Sequence, residues 1–136
     1  MNELRLLVDE RNITRLLHRY AHALDGRDAN AWRSCFTGDA TFVTRHGTFV
    51  GEEQINELFD GLKPAPTKHL LTSPLIELDG DSATVASHFL LCVQDGPELK
   101  VDFFGRYLDR VASGPGDDEW RFRERRIVPE AEAAKT

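Results

Sequence analysis

The chain has 136 residues, a net charge of -6 and 40% hydrophobic residues, enough apolar material for one sizeable core but too acidic to attract nucleic acid or an anionic membrane surface. Its two cysteines, Cys35 and Cys92, are too few for a disulfide framework and stand in no zinc-ligand spacing, so they read as buried free thiols. No apolar run reaches signal-peptide or membrane-span length, and the expectation is a soluble, cytoplasmic protein.

In chain order, Leu6, Ile13, Leu16, Leu17, Tyr20 and Leu24 recur mostly three or four apart, which predicts an amphipathic helix from Asn2 to Leu24. Asp25-Gly26 ends it. Asp28 is placed to cap a short second helix through Cys35, with Trp32 and Phe36 toward the core. The alternation in ATFVTRHGTFV predicts a hairpin from Asp39 to Val50 that turns at His46-Gly47. A third helix covers Glu52 to Leu62 and is stopped by Pro64 and Pro66.

Four strands follow: Thr67 to Leu78, Ser82 to Gln94, Leu99 to Val111 and Trp120 to Val128. Turns at Asp79-Gly80, Asp95-Gly96-Pro97 and residues 113–118 separate them. Gly105, in the middle of a strand, signals a bulge or a close approach to the backbone. Arg121, Arg123 and Arg125 alternate against Trp120, Phe122, Glu124 and Arg126, which reads as a solvated outer face. Residues 1–130 then form one domain and 131–136 a frayed tail. Helices first and long antiparallel strands afterwards give an α+β fold, and strands of this length curl to leave a concave side.

His69 and His88 flank the Asp79-Gly80 turn. If those two residues form the loop, Leu78 pairs with Asp81, His69 lies opposite Leu90 and His88 opposite Leu71. Both imidazoles then share a face, about 7 to 8 Å apart at the backbone; a bulge near Pro74 would separate them. The same face carries Leu71, Leu75, Ala86 and Leu90, an apolar wall with a few titratable groups, as a small-molecule site requires. Histidine suits proton transfer near neutral pH. The spacing carries no metal-ligand signature. On the first helix, Tyr20 lies on the apolar stripe. Asp25 opposes the helix dipole at the C-terminal end, so it either forms the turn with Gly26 or is turned inward to orient a histidine.

RYAHALDGRDANAWRSCFTGDATF, TKHLLTSPLIELDGDSATVASHF and GRYLDRV with EWRFRERRI resemble the SnoaL-like family of the nuclear-transport-factor-two-like superfamily over nearly the whole chain. Within it the motifs are most similar to those of scytalone dehydratases. The resemblance implies a cone-shaped, curved antiparallel sheet closed by three helices of the N-terminal half around a hydrophobic cavity. It also implies chemistry without metal or cofactor on a small hydrophobic carbonyl or polyketide-like compound: dehydration, isomerisation or cyclisation.

Asp25, His69 and His88 match the dehydratase's aspartate and two catalytic histidines. The expectation is that Asp25 orients His88, while His69 and Tyr20 position water or polarise the substrate oxygen. Leu24, Leu71, Leu90, Phe104 and Tyr107 are the expected substrate contacts. Leu24 departs from the family pattern, which has a tyrosine there, and FFGRY lacks its serine and asparagine. A homodimer or homotrimer is expected. The alternative is a non-catalytic ligand-binding or structural partner protein of the same fold.

Overall fold

The computed structural model describes residues 3–63, 65–114 and 119–132. Its elements are α1 (Glu3–Gly26), α2 (Ala29–Ser34), β1 (Phe36–Thr44), β2 (Gly47–Val50), α3 (Gly51–Asp60), β3 (Thr67–Asp79), β4 (Ser82–Asp95), β5 (Glu98–Ser113) and β6 (Trp120–Glu132). The stripe on α1 buries Ile13, Leu16, Leu17, Tyr20, Ala23 and Leu24. Asp28 caps α2, its Oδ1 accepting the Ala31 N–H at 3.1 Å, which supplies one of the donors a helix start leaves unpaired. The β1–β2 turn falls on Arg45-His46, one residue earlier than expected, because Thr44 pairs with Gly47. No helix among the described residues is long and apolar enough to cross a membrane.

The strands form one six-stranded curved sheet in the order β2-β1-β6-β5-β4-β3. It is α+β as expected, with one departure: β1 runs parallel to β6. The two are distant in sequence and no hairpin constrains their direction. β2 and β3 are free edges, so the sheet is not closed. Helix α1 packs on β3 and β6, and α3 on β1 and β2. Between helices and sheet lie Trp32, Phe36, Phe42, Phe59, Phe89, Phe103, Tyr107 and Phe122, all buried. Each such side chain contributes roughly 1.5–3 kcal/mol on burial, so this aromatic interior is the main source of stability. β6 runs to Glu132, with Ala131 opposite Phe104 and Glu132 opposite Phe103; the boundary drawn at residue 130 falls inside the strand, and residues 133–136 lie outside the described ones.

Two irregularities decide which side chains face that interior. The β3–β4 loop is Gly80-Asp81, since Asp79 pairs with Ser82, one residue later than the sequence suggested. That slip preserves the faces. Between Leu75 and Thr72 the register shifts again, at Ser73 with its positive φ of 53°. Beyond it His69 lies opposite Leu91 and His88 opposite Thr72. The bulge therefore separates the histidines: His69 faces the core with Leu91 and Phe89, while His88 joins the exposed face. In β6 a second shift leaves Arg123 as the extra residue, with Phe122 opposite Val111 and Glu124 opposite Arg110. Arg125 consequently turns inward and is fully buried, which corrects its reading as part of the solvated face.

Candidate functional site

Asp25 sits in the last turn of α1, where β3 begins beneath it. Its Oδ1 lies 2.5 Å from Nδ1 of His69 and accepts the Thr67 hydroxyl at 3.0 Å. Its Oδ2 accepts the backbone N–H of His69 at 2.7 Å. Thr67 and His69 share a face because they are two apart on a strand, so one carboxylate reaches both. This explains an acid placed against the helix dipole: the unfavourable end charge is offset by three donors from β3.

Burial pushes the Asp25 pKa up. The His69 ring, the His69 N–H, the nearby imidazole charge and the Thr67 hydroxyl together outweigh it and hold the carboxyl below its ordinary value of 3.8. Asp25 is therefore ionised at neutral pH, and the short contact requires that Nδ1 carry a hydrogen and donate it. That leaves Nε2 as the acceptor nitrogen of the neutral ring. Among the described residues nothing hydrogen-bonds Nε2, and 14% of the His69 side chain remains accessible.

Asp25 also lines a pocket of about 510 Å³ between the ends of β3, β4 and β5. Pro66, Val93, Leu99 and Val101 supply its apolar wall, and Lys68 and Lys100 border it. The volume falls in the range of small-molecule sites. Among the described residues no group of three or more His, Cys, Asp or Glu is placed to hold a metal ion.

A second buried cluster lies deeper. Asp109 and Arg125 pair at 3.4 Å with both side chains fully buried. The Arg125 guanidinium lies 3.4 Å from the centre of the Tyr107 ring and 4.1 Å from that of Tyr20, cation–π contacts that replace part of its lost hydration. Burial raises the Asp109 pKa to about 6 against the pull of Arg125. Burial also raises Tyr107 to about 12 and Tyr20 well above 10, so both phenols keep their protons. The Cys35 thiol is pushed up by burial as well.

The expected site residues thus divide. Asp25 and His69 come together. His88 is exposed on the outer face, opposite Thr72 and Arg106, and is not oriented by Asp25. Leu90 and Phe104 pair with each other on that outer face, Phe104 being 43% exposed; the two bulges, at Ser73 and between Leu91 and Cys92, set which of their neighbours turn inward. Leu71 packs on the core and Leu24 is buried in it. Tyr20 and Tyr107 are core residues whose rings meet edge to face at 5.8 Å. Sequence reasoning missed Thr67, although its position two before His69 was the available signal. It also missed the Asp109–Arg125 pair, for which the uninterrupted alternation in β6 gave a contrary one.

A model of the SnoaL-like domain matches residues 5–126. Among solved structures, the chain superposes on a protein of unknown function from Mycobacterium tuberculosis with a TM-score of 0.87 and 27% identity, covering 96% of this chain and 77% of that one. It superposes on LinA with a TM-score of 0.85 and 20% identity, covering 96% and 92%. A candidate scytalone dehydratase from Novosphingobium aromaticivorans gives 0.83 and 21%, covering 96% and 89%. The last two likenesses speak for the fold alone. A search of curated proteins found no match.

Proposed function

This chain belongs to the SnoaL-like domain family, and from that premise we propose that it is a cofactor-independent acid–base catalyst acting on a small, largely apolar carbonyl compound. The observation that carries this reading is the pairing of His69 Nδ1 with an ionised, half-buried Asp25 while Nε2 has no hydrogen-bond partner among the described residues. A non-catalytic binding protein has no need of such a pair.

In the proposed reaction, Nε2 removes a proton from the carbon beside the carbonyl, and the C–H electron pair moves into an enolate. Asp25 stabilises the imidazolium so formed and keeps the ring oriented. The imidazolium then returns the proton. Delivered to a departing β-hydroxyl, it releases water and completes a dehydration; delivered to a different carbon, it completes an isomerisation. Cyclisation follows if the enolate carbon attacks a second carbonyl, whose oxygen receives the proton. Tyr20 and Tyr107, buried in the aromatic core, hold their protons and do not serve as bases.

The test is deuterium uptake from D2O at the α-carbon of a panel of cyclic enones and β-hydroxyketones, followed by NMR. The expected result is uptake by at least one compound, slowed on the order of 10²–10⁴-fold by His69→Gln, with His88→Ala unchanged. Uptake by no compound, or uptake that survives His69→Gln, contradicts the proposal.

A further inference from the structure

The ladder of β3, β4 and β5 arranges the outer face of the sheet in rows. Thr72, His88 and Arg106 form the middle row, and Arg106 is paired with Glu130 at 3.1 Å. On one side of it lie Leu70, Leu90 and Phe104, and on the other Leu75, Ala86 and Leu108. Beyond the first of these come Lys68, Cys92 and Val101; beyond the second, Glu77, Thr84 and Arg110. Leu70, Leu75 and Phe104 are 48%, 73% and 43% exposed, so the described helices leave this face uncovered. An apolar centre with charges at its ends is the anatomy of a protein interface, and a contiguous patch of this kind is uncommon on a surface that stays in water. From Lys68 to Glu77 and from β3 to β6 the face covers roughly 600 Å² in plan at ordinary strand spacings. Side chains standing off the sheet add to that area and bring it to the scale of the about 800 Å² per partner that a stable interface buries.

We propose that this face docks on a second copy of the chain, with the twofold axis crossing the strands at the row of His88. Sheets packed face to face in the aligned manner keep their strands within about 30° of each other, which leaves two ways to lay the face on itself. With the axis along the strands, β3 lies over the partner's β6; Glu77 then falls on the partner's Glu124 and Leu75 on the partner's Arg126, setting like charges together and an apolar side chain against a charge. With the axis across the strands, each strand lies over its own copy and the rows exchange. Leu70 then meets the partner's Leu75, and Leu90 and Phe104 enter the hollow of about 390 Å³ lined by Ala86 and Leu108. Lys68 meets the partner's Glu77, once at each end of the interface. Neither of these two forms an ion pair within the chain among the described residues, so the contact displaces nothing. His69 is on the opposite face of β3, and docking here is independent of the acid–base reading above.

Sedimentation velocity over a concentration series tests the assignment. The wild type should run as a dimer, and Leu70→Ser combined with Phe104→Ser should run as a monomer, its fold checked by an unchanged far-ultraviolet circular dichroism spectrum. Lys68→Glu should weaken the dimer by about tenfold or more, because it sets like charges against each other at both ends. Adding Glu77→Lys to Lys68→Glu should restore association, since the pair is then re-formed with its signs exchanged. Both residues are exposed, so these variants carry the test even if the serine variant does not fold. A wild type that stays monomeric across the series overturns the proposal. So do a trimer, a dimer that both serines leave intact, and a dimer indifferent to Lys68→Glu or not repaired by Glu77→Lys.

Discussion

Asp25 does at one residue what the sequence could only pose as a choice: it closes a helix and orients an imidazole. Its presence at a helix C-terminus signalled something beyond turn formation, and that much was legible. Which histidine it held was not, because the answer depended on the bulge at Ser73, between the two candidates on the β3–β4 ladder. With its pKa held below 3.8 in the folded state, Asp25 contributes stability that is present above the ordinary carboxylate range and lost as pH falls through the lowered value. Asp25→Asn should therefore lower stability at pH 7 by roughly 1–2 kcal/mol, and the gap to wild type should narrow below about pH 4. Urea midpoints at the two pH values check this. Thr67→Val removes one neutral donor and leaves the His69 contact, so it should cost about 1 kcal/mol and spare activity.

At the scale of elements, every helix and strand was legible because amphipathic spacing and turn residues agree with the burial that results. The two-residue loop after β3 was displaced by one position without consequence, since the faces are kept. The shift at Ser73 had a large consequence because a single extra residue reverses every side chain beyond it. Ser-Pro in a strand hints at irregularity, but the direction of the slip depends on how β3 meets β4 and α1 together. Gly105 was read correctly as a site of close approach: a Cβ there would stand 2.4 Å from the Val128 carbonyl oxygen and 3.1 Å from the Pro129 Cα. Both are backbone atoms held in the β5–β6 ladder. Gly105→Ala should cost about 2–3 kcal/mol, seen as a lower thermal midpoint with the Asp25–His69 contact intact.

For the whole molecule, the open curved sheet and its aromatic interior follow from composition and periodicity, whereas the buried Asp109–Arg125 pair follows from β6 changing faces. Truncating Asp109 to alanine strands a buried guanidinium and should cost about 3–5 kcal/mol; Asp109→Leu with Arg125→Met should recover most of that loss. Because the Asp109 pKa is raised to about 6 in the fold, the folded state binds this proton more tightly than the unfolded chain. Its contribution to stability falls as pH rises from about 4 to 6 and is at its lowest above pH 6. Asp109→Asn should remove that slope, which urea titrations between pH 4 and 7 would register. Tyr20, Tyr107 and Phe122 pack on Arg125, so this pair also fixes the floor on which α1 and, through it, Asp25 rest.

Asp25 holds His69 in the tautomer with its hydrogen on Nδ1 and its lone pair on Nε2. It is read most directly from the ring ¹⁵N NMR shifts of His69 in the wild type and in Asp25→Asn, at a pH where the ring is neutral. The expected result is a protonated Nδ1 and an unprotonated Nε2 in the wild type, with the other tautomer becoming populated once the carboxylate is gone. A wild-type ring protonated on Nε2, or a shift pattern indifferent to Asp25→Asn, would contradict it.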